Sequence, residues 1–219
     1  MQISLPGAAA PVRPGKLLCI GRNYAKHAAE MQSAVPEEPM VFLKPSTALV
    51  GHDGAIVLPP QSRDVHHELE LVAVLGRAGR HIPEAEALSY VAAYALGLDM
   101  TARDVQAAAK QKGHPWSVAK GFDTFAPLGA LVPASAVPDP QDLTLRLRVN
   151  GAVRQEGHTG DMIFSVATLV AYCSSIFTLE PGDLLYTGTP EGVGPVAEGD
   201  VLEAEADGLP PLRVSVRRA

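Results

Sequence analysis

The sequence predicts a β-rich, mixed α+β domain with a few peripheral helices. Glycine and proline number 20 and 19 and punctuate the whole length, which suits short strands and turns better than long helices. Apolar–polar alternation recurs beside turn signals, whereas helical start and stop signals frame only three segments. Many strands with few helices leave the helices at the margin of a sheet core.

Taken in order, residues 24–32 form the first helix candidate. His66-His67-Glu68-Leu69-Glu70-Leu71-Val72-Ala73-Val74-Leu75 reads as a strand whose apolar end puts both faces in the core. A second apolar run, residues 90–98, ends in Asp99. Residues 102–112 are the next helix candidate, with Thr101 and Asp104 spaced as a capping box and Gly113 and Pro115 as stop signals. Residues 143–149 alternate apolar and polar, Asn150-Gly151 follows, and residues 152–155 return. Asn-Gly between such runs signals a hairpin, because a type I′ turn needs positive φ at both positions. Residues 165–174 are the third helix, and 183–188, 200–206 and 212–216 are further strands. Segments 5–15, 33–39 and 133–141 carry proline and read as loose.

Composition narrows the functional class. The chain has 219 residues, 47% hydrophobic and 19% charged, enough for one substantial core and one domain. Its formal charge is −6, with no run of Lys or Arg, which argues against nucleic acid or an anionic membrane as partner. No segment approaches the ~20 apolar residues of a membrane span. The N-terminus lacks a charged start and apolar run, so a cytoplasmic location is expected. Cys19 and Cys173 sit in apolar stretches without zinc or CxxC spacing and read as buried free thiols.

The strongest chemical signal is a set of acids. Glu68 and Glu70 are two apart and share one strand face. Two carboxylates in a core repel and lose hydration, so either their pKa values rise or a cation sits between them. Asp99, at the end of the second buried run, is placed to complete the site. Three carboxylates without cysteine favour a hard cation, Mg²⁺ or Mn²⁺. Zn²⁺ suits less, since His66 and His67 lie off the Glu face or before it and read as packing residues. The plainer alternative is a solvated pair on an edge strand.

Other residues admit two readings each. His27 and Glu30 are three apart on a helix, either an exposed pair or a base whose histidine is oriented by its glutamate. Arg103, Gln106 and Lys110 share a helix face. Arg103 and Gln106 could hold a substrate carboxylate, Arg103 as a bidentate fork, with Lys110 a solvated neighbour, or the face is simply polar. Lys120 lies among apolar residues and needs a partner, the three acids being the obvious one, unless it snorkels. Residues 187–194 form a glycine-rich loop without the Gly-Lys-Ser/Thr of a phosphate loop. Either its glycines bring backbone near a ligand that the Thr189 hydroxyl grips, or it is a tight turn. Arg22 is placed loosely at the mouth of the site.

Gly21-Arg22-Asn23-Tyr24, Phe42-Leu43-Lys44-Pro45, His66-His67-Glu68-Leu69-Glu70, Leu98-Asp99-Met100-Thr101-Ala102-Arg103-Asp104 and Thr187-Gly188-Thr189-Pro190-Glu191-Gly192-Val193-Gly194 occur in this order. Together they resemble the fumarylacetoacetate hydrolase family, above all its short-chain acylpyruvate hydrolase and oxaloacetate decarboxylase members. The resemblance implies a β-roll or sandwich core in residues 16–219 after an N-terminal extension, 1–15, and a homodimer. It implies Mg²⁺ or Mn²⁺ on Glu68, Glu70 and Asp99, a lid helix carrying a catalytic His27–Glu30 pair, and Lys120 on the pyruvate oxygens of a small β-keto or β-diketo acid. The implied reaction is hydrolysis of the C–C bond in acylpyruvates such as acetylpyruvate or fumarylpyruvate, through an enolate. Decarboxylation or keto–enol tautomerisation of oxaloacetate would use the same site, and a non-catalytic, metal-stabilised binding protein is the remaining alternative. Fumarylacetoacetase itself carries an additional N-terminal β-barrel, for which this chain has no room, so fumarylacetoacetate is not the expected main substrate.

Overall fold

The computed structural model describes residues 1–31 and 34–219. Gln32, where the first helix was expected to end, and Ser33, the start of a loose segment, lie outside the described residues.

Two curled sheets and a small ribbon build the molecule. The larger sheet runs Met40–Lys44, Leu17–Gly21, Leu184–Tyr186, Leu69–Leu75, Val91–Leu98, Ala126–Leu128, Leu49–Gly51, with Val132–Pro133 also paired to Val91–Leu98. The second runs Ala152–His158, Thr144–Val149, Val201–Ala206, Leu209–Arg218, Ala55–Leu58. The ribbon is Gly194–Pro195, Val65–His67, Thr101–Ala102. Both large sheets are mixed: Leu17–Gly21 runs parallel to Leu184–Tyr186, and Ala55–Leu58 parallel to Leu209–Arg218. The predicted β-rich architecture with peripheral helices is the observed one.

Strand Leu69–Leu75 shows why. Every residue in it is buried. Leu69, Leu71, Ala73 and Leu75 join the core shared with the second sheet, including Leu145, Leu147, Leu202 and Leu212. Val72 and Val74 join a separate cluster on the opposite face with Leu17, Cys19, Ala93 and Ala95. A strand covered on both faces has no solvent side for polar residues, so its acids are confined to one end. Register fixes where that end is: Leu69 pairs with Leu98, and Asp99 N–H donates to Glu68 O at 2.8 Å. Glu68, Glu70 and Asp99 therefore meet at the same edge of the sheet.

Several expectations change in detail. The strand expected over 66–75 breaks at Glu68, because Val65–His67 turns away to pair in the ribbon. The three expected helices run Ala25–Glu30, Arg103–Gln111 and Val166–Ile176, and two short ones, Glu84–Ala87 and Ser117–Lys120, were not foreseen. The Thr101–Asp104 capping box does not form. Thr101 is in the ribbon and its hydroxyl donates to Asp99 O, while Asp104 accepts from Ser62 Oγ and Arg63 N–H. Ser165 does cap its helix, accepting from Thr168 N–H. The hairpin is as expected, with Asn150 and Gly151 at φ 52° and 79°, although its second strand continues to His158. The proline-rich start is not loose throughout: Ile3 and Val12 pair through their backbones, and Ile3 and Leu5 are buried. Cys19 and Cys173 are buried and free. Among the described residues, no helix is long and apolar enough to cross a membrane.

Asn23 clamps these parts together. Fully buried, it donates from Nδ2 to Phe164 O and Thr187 O at 3.0 and 2.8 Å, and its Oδ1 accepts from Phe164 N–H at 2.8 Å. Asn23→Ala leaves one buried and two part-buried backbone groups without their partner and is expected to cost about 2–4 kcal/mol. Urea unfolding measures this, and a loss well under 1 kcal/mol would refute the clamp.

Candidate active site

One oxygen from each of Glu68, Glu70 and Asp99 lies within 4.8 Å of the others, and all three residues are buried. Their partners come from four separate stretches of chain. Lys120 Nζ donates to Asp99 Oδ2 at 2.5 Å and to Glu68 Oε2 at 2.8 Å. Arg103 Nη2 donates to Glu68 Oε1 at 2.6 Å. Gly188 N–H donates to Glu70 Oε2 at 2.8 Å. Lys44 Nζ stands 2.6 Å from Asp99 Oδ1, an ion pair without hydrogen-bond alignment, because its donors point to Met100 O and Phe125 O.

The acids are not equivalent. Burial pushes Glu68 up, but Lys120 and Arg103 outweigh it and hold its carboxyl well below the usual range. Burial also pushes Glu70 up, and the charges of Asp99 and Glu68 push further, so it sits well above its ordinary 4.5. Lys120, lowered by burial, is raised overall by Asp99 and Glu68. The cluster fits a divalent cation: its donors are all oxygens, Asp99 Oδ1 is buried without a hydrogen bond, and Glu70 has no direct ion-pair partner among the described residues.

A cavity opens above the cluster. Arg22, His27, Glu68, Arg103, Gln106, Lys110, Lys120 and Thr189 line it together with Phe42 and Trp116. Glu30, Glu70 and Asp99 stand behind this wall. The helix Ala25–Glu30 covers one side, with His27 Nδ1 3.2 Å from Glu30 Oε2. Glu30 also accepts from Gly192 N–H at 3.1 and 3.2 Å. Gly192, at φ 89°, passes so near Arg154 O that a Cβ would lie 2.3 Å from it, and Gly188, at φ 96°, would bring a Cβ within 2.6 Å of Asn23 Cβ. The loop thus presents amides to two carboxylates of the site, where the sequence suggested close approach to a ligand.

One expectation needs correction. Arg103 does not offer a free fork, since one Nη binds Glu68 and the other donates to Gln106 Oε1 at 2.8 Å. Lys110 stays exposed, the solvated neighbour that the sequence suggested. It lies on the cavity wall, its Nζ 5.2 Å from the Trp116 ring centroid, and partial burial, then Arg22 and Arg103, lower its pKa. Arg22 does reach the cavity, in a left-handed backbone conformation at φ 60°. His66 and His67 bond Asp64 and Gln155 rather than the acids, as expected. Lys44 and Gln155 were missed. Lys44 carried the same signal as Lys120, a cation within an apolar run, whereas nothing near Gln155 in sequence marks it.

The family model for the fumarylacetoacetate (FAA) hydrolase C-terminal region matches residues 16–217. The chain belongs to the fumarylacetoacetate hydrolase family. It is 52% identical over 203 residues to the oxaloacetate tautomerase FAHD1, mitochondrial, of Mus musculus, covering 93% of this chain and 92% of that one. It is 49% identical to the corresponding Arabidopsis thaliana protein, covering 93% and 91%. Among solved structures, fumarylpyruvate hydrolase from Pseudomonas aeruginosa, in complex with Mn²⁺ and pyruvate, superposes with a TM-score of 0.94 at 41% identity, covering 100% of this chain and 96% of that one. These relatives overturn the cytoplasmic expectation, since FAHD1 proteins sharing about half this sequence are named mitochondrial. Location is set by a targeting segment outside the catalytic fold, so the residues that build the site say nothing of it.

The raised pKa of Glu70 has a sign that can be tested. Without a cation Glu70 holds its proton at pH values where a free glutamate, near 4.5, has lost it. A divalent cation bound there would expel that proton, so its affinity should rise with pH by up to about tenfold per unit until the raised pKa is passed. Calorimetric titration of Mn²⁺ in buffers of different ionisation enthalpy should register about one proton released on this account; none released would contradict it.

Proposed function

We propose that this chain is a divalent-metal enzyme that generates the enolate of a small β-keto or β-diketo acid, and that hydrolysis of acylpyruvates is its reaction. The observation that carries this reading is the placement of His27, paired with Glu30 behind it, on the same cavity as Lys120 and Glu68. In it, residues 16–219 act as one catalytic domain, residues 1–15 are an extension, and the homodimer implied by the family is the working form.

A substrate R–CO–CH₂–CO–COO⁻ enters with its pyruvate end toward Lys120. Glu30 accepts from His27 Nδ1–H, which leaves Nε2 as the basic nitrogen. Gly192 N–H holds the Glu30 carboxylate in turn. His27 takes a proton from water, the hydroxide adds to the distal carbonyl, and the C–C bond breaks with its electron pair passing to the pyruvate fragment. His27 returns the proton to the CH₂ carbon, giving pyruvate and R–COOH, which loses its own proton to solvent as R–COO⁻. Lys120 spends two N–H groups on Glu68 and Asp99 and has a third to offer the developing enolate oxygen. A Mg²⁺ or Mn²⁺ ion on Glu68, Glu70 and Asp99 supplies, when bound, Lewis-acid polarisation of the same end. Charge supports the assignment. Lys44, Lys120 and Arg103 offset the three acids, so a divalent ion would leave two positive charges to match the two negative charges of a pyruvate enolate.

The names of the FAHD1 relatives favour a second reading, tautomerisation of oxaloacetate. That reaction, like decarboxylation, passes through the same kind of enolate without an attacking water.

The test is metal-stripped protein assayed with acetylpyruvate, fumarylpyruvate and oxaloacetate, with Mg²⁺, Mn²⁺ or Zn²⁺ restored. Acylpyruvate hydrolysis restored by Mg²⁺ or Mn²⁺ is expected, and activity restored best by Zn²⁺ would count against the oxygen-ligand reading. His27→Ala should lower kcat for hydrolysis by about a hundredfold or more. A fully active H27A enzyme removes His27 as the base.

A further inference from the structure

Gln155 lies on strand Ala152–His158 of the second sheet, 1% exposed and outside the cavity wall. Its side-chain amide nevertheless spans the two halves of the site. Oε1 accepts from Leu69 N–H at 2.9 Å and lies 2.9 Å from His67 Nδ1. Nε2 donates to Thr189 Oγ1 at 2.8 Å and to Pro190 O at 3.0 Å.

These partners leave the amide one orientation. A backbone N–H can only donate and a backbone carbonyl can only accept, so Oε1 must face Leu69 and Nε2 must face Pro190. Two consequences follow for the neighbours. His67 donates from Nδ1, which places its ring hydrogen there. Thr189 Oγ1 is an acceptor toward Gln155, so its single hydroxyl hydrogen is directed elsewhere. That hydroxyl has no acceptor among the described residues, and Thr189 lines the cavity with Lys120 and Arg103.

We propose that Gln155 is a positioning residue that commits the Thr189 hydroxyl to donate into the cavity, toward a carboxylate or keto oxygen of the ligand. The same amide grips His67 and Leu69, the two residues flanking Glu68, and so sets the spacing between the donor hydroxyl and the acid cluster. A threonine hydroxyl left to rotate would meet an anionic ligand as donor only part of the time; here the orientation exists before the ligand arrives. The inference rests on the reading of this cavity as a keto-acid site.

Gln155→Glu is the informative variant. It keeps the shape and the acceptor for Leu69 and His67, but replaces the amide donor by an oxygen that takes the Thr189 hydrogen. Pyruvate affinity of the Mn²⁺-loaded protein, measured by calorimetry, should fall about tenfold to a hundredfold, the loss of one charge-assisted hydrogen bond. Thr189→Val should lose a similar amount, and Thr189→Ser should stay close to wild type. The double variant should bind no more weakly than T189V. Losses that add would mean Gln155 acts through charge or packing, and would overturn the proposal. A measurement on the unaltered protein stands apart from any folding defect: ¹⁵N chemical shifts should place the His67 hydrogen on Nδ1, and an Nε2–H ring would overturn the amide orientation. Coupled pyruvate binding without turnover of any β-keto acid would sustain the inference and overturn the reaction. Full turnover with unaltered pyruvate affinity in Q155E would overturn the inference alone. No pyruvate binding by the wild type would overturn both.

Discussion

Three carboxylates within reach of a single ion, inside a core, impose the condition that the surrounding structure answers. Each acid loses hydration on burial, and each raises the cost of ionising the next. Lys120, Lys44 and Arg103 meet that cost for Glu68 and Asp99 at 2.5–2.8 Å. Among the described residues, Glu70 receives a close hydrogen bond only from the backbone amide of Gly188. The chain therefore compensates two acids with its own cations and leaves the third to a proton or a metal. An apolar replacement of the cluster would fold more cheaply, so its presence speaks for chemistry rather than stability.

The sheets serve this condition by geometry. Leu69–Leu75 and Val91–Leu98 are buried on both faces and held in one register, which puts their acidic ends together on rigid elements. The loops and the short helix Ala25–Glu30 then add the groups that need adjustment. The glycine-rich loop contacts both: Gly188 reaches the metal-type acids and Gly192 reaches Glu30 of the His27 pair. Through Gln155, the second sheet joins the same assembly.

Much of this was legible in sequence because it depends on short spacings. Strand periodicity put Glu68 and Glu70 on one face, the apolar run before Asp99 marked its strand end, and Asn150-Gly151 marked a turn that only positive φ satisfies. The capping box failed because spacing alone cannot tell that Thr101 would be drawn into a ribbon with Val65–His67. The fork expected of Arg103 failed for a related reason, since Glu68 is 35 residues away in sequence and competes for its guanidinium.

By itself, then, the sequence determined which residues carry charge into the core, the family to which the chain belongs, and the unbroken apolar runs that bury its central strands on both faces. Tertiary structure decided how those charges are shared: that Lys44 as well as Lys120 attends Asp99, that Glu70 has no ion-pair partner among the described residues, and that Gln155 orients Thr189. The division has a physical reason. Burial and periodicity are properties of a local stretch, while compensation of a buried charge and the direction of a hydroxyl hydrogen depend on partners that only folding brings within 3 Å.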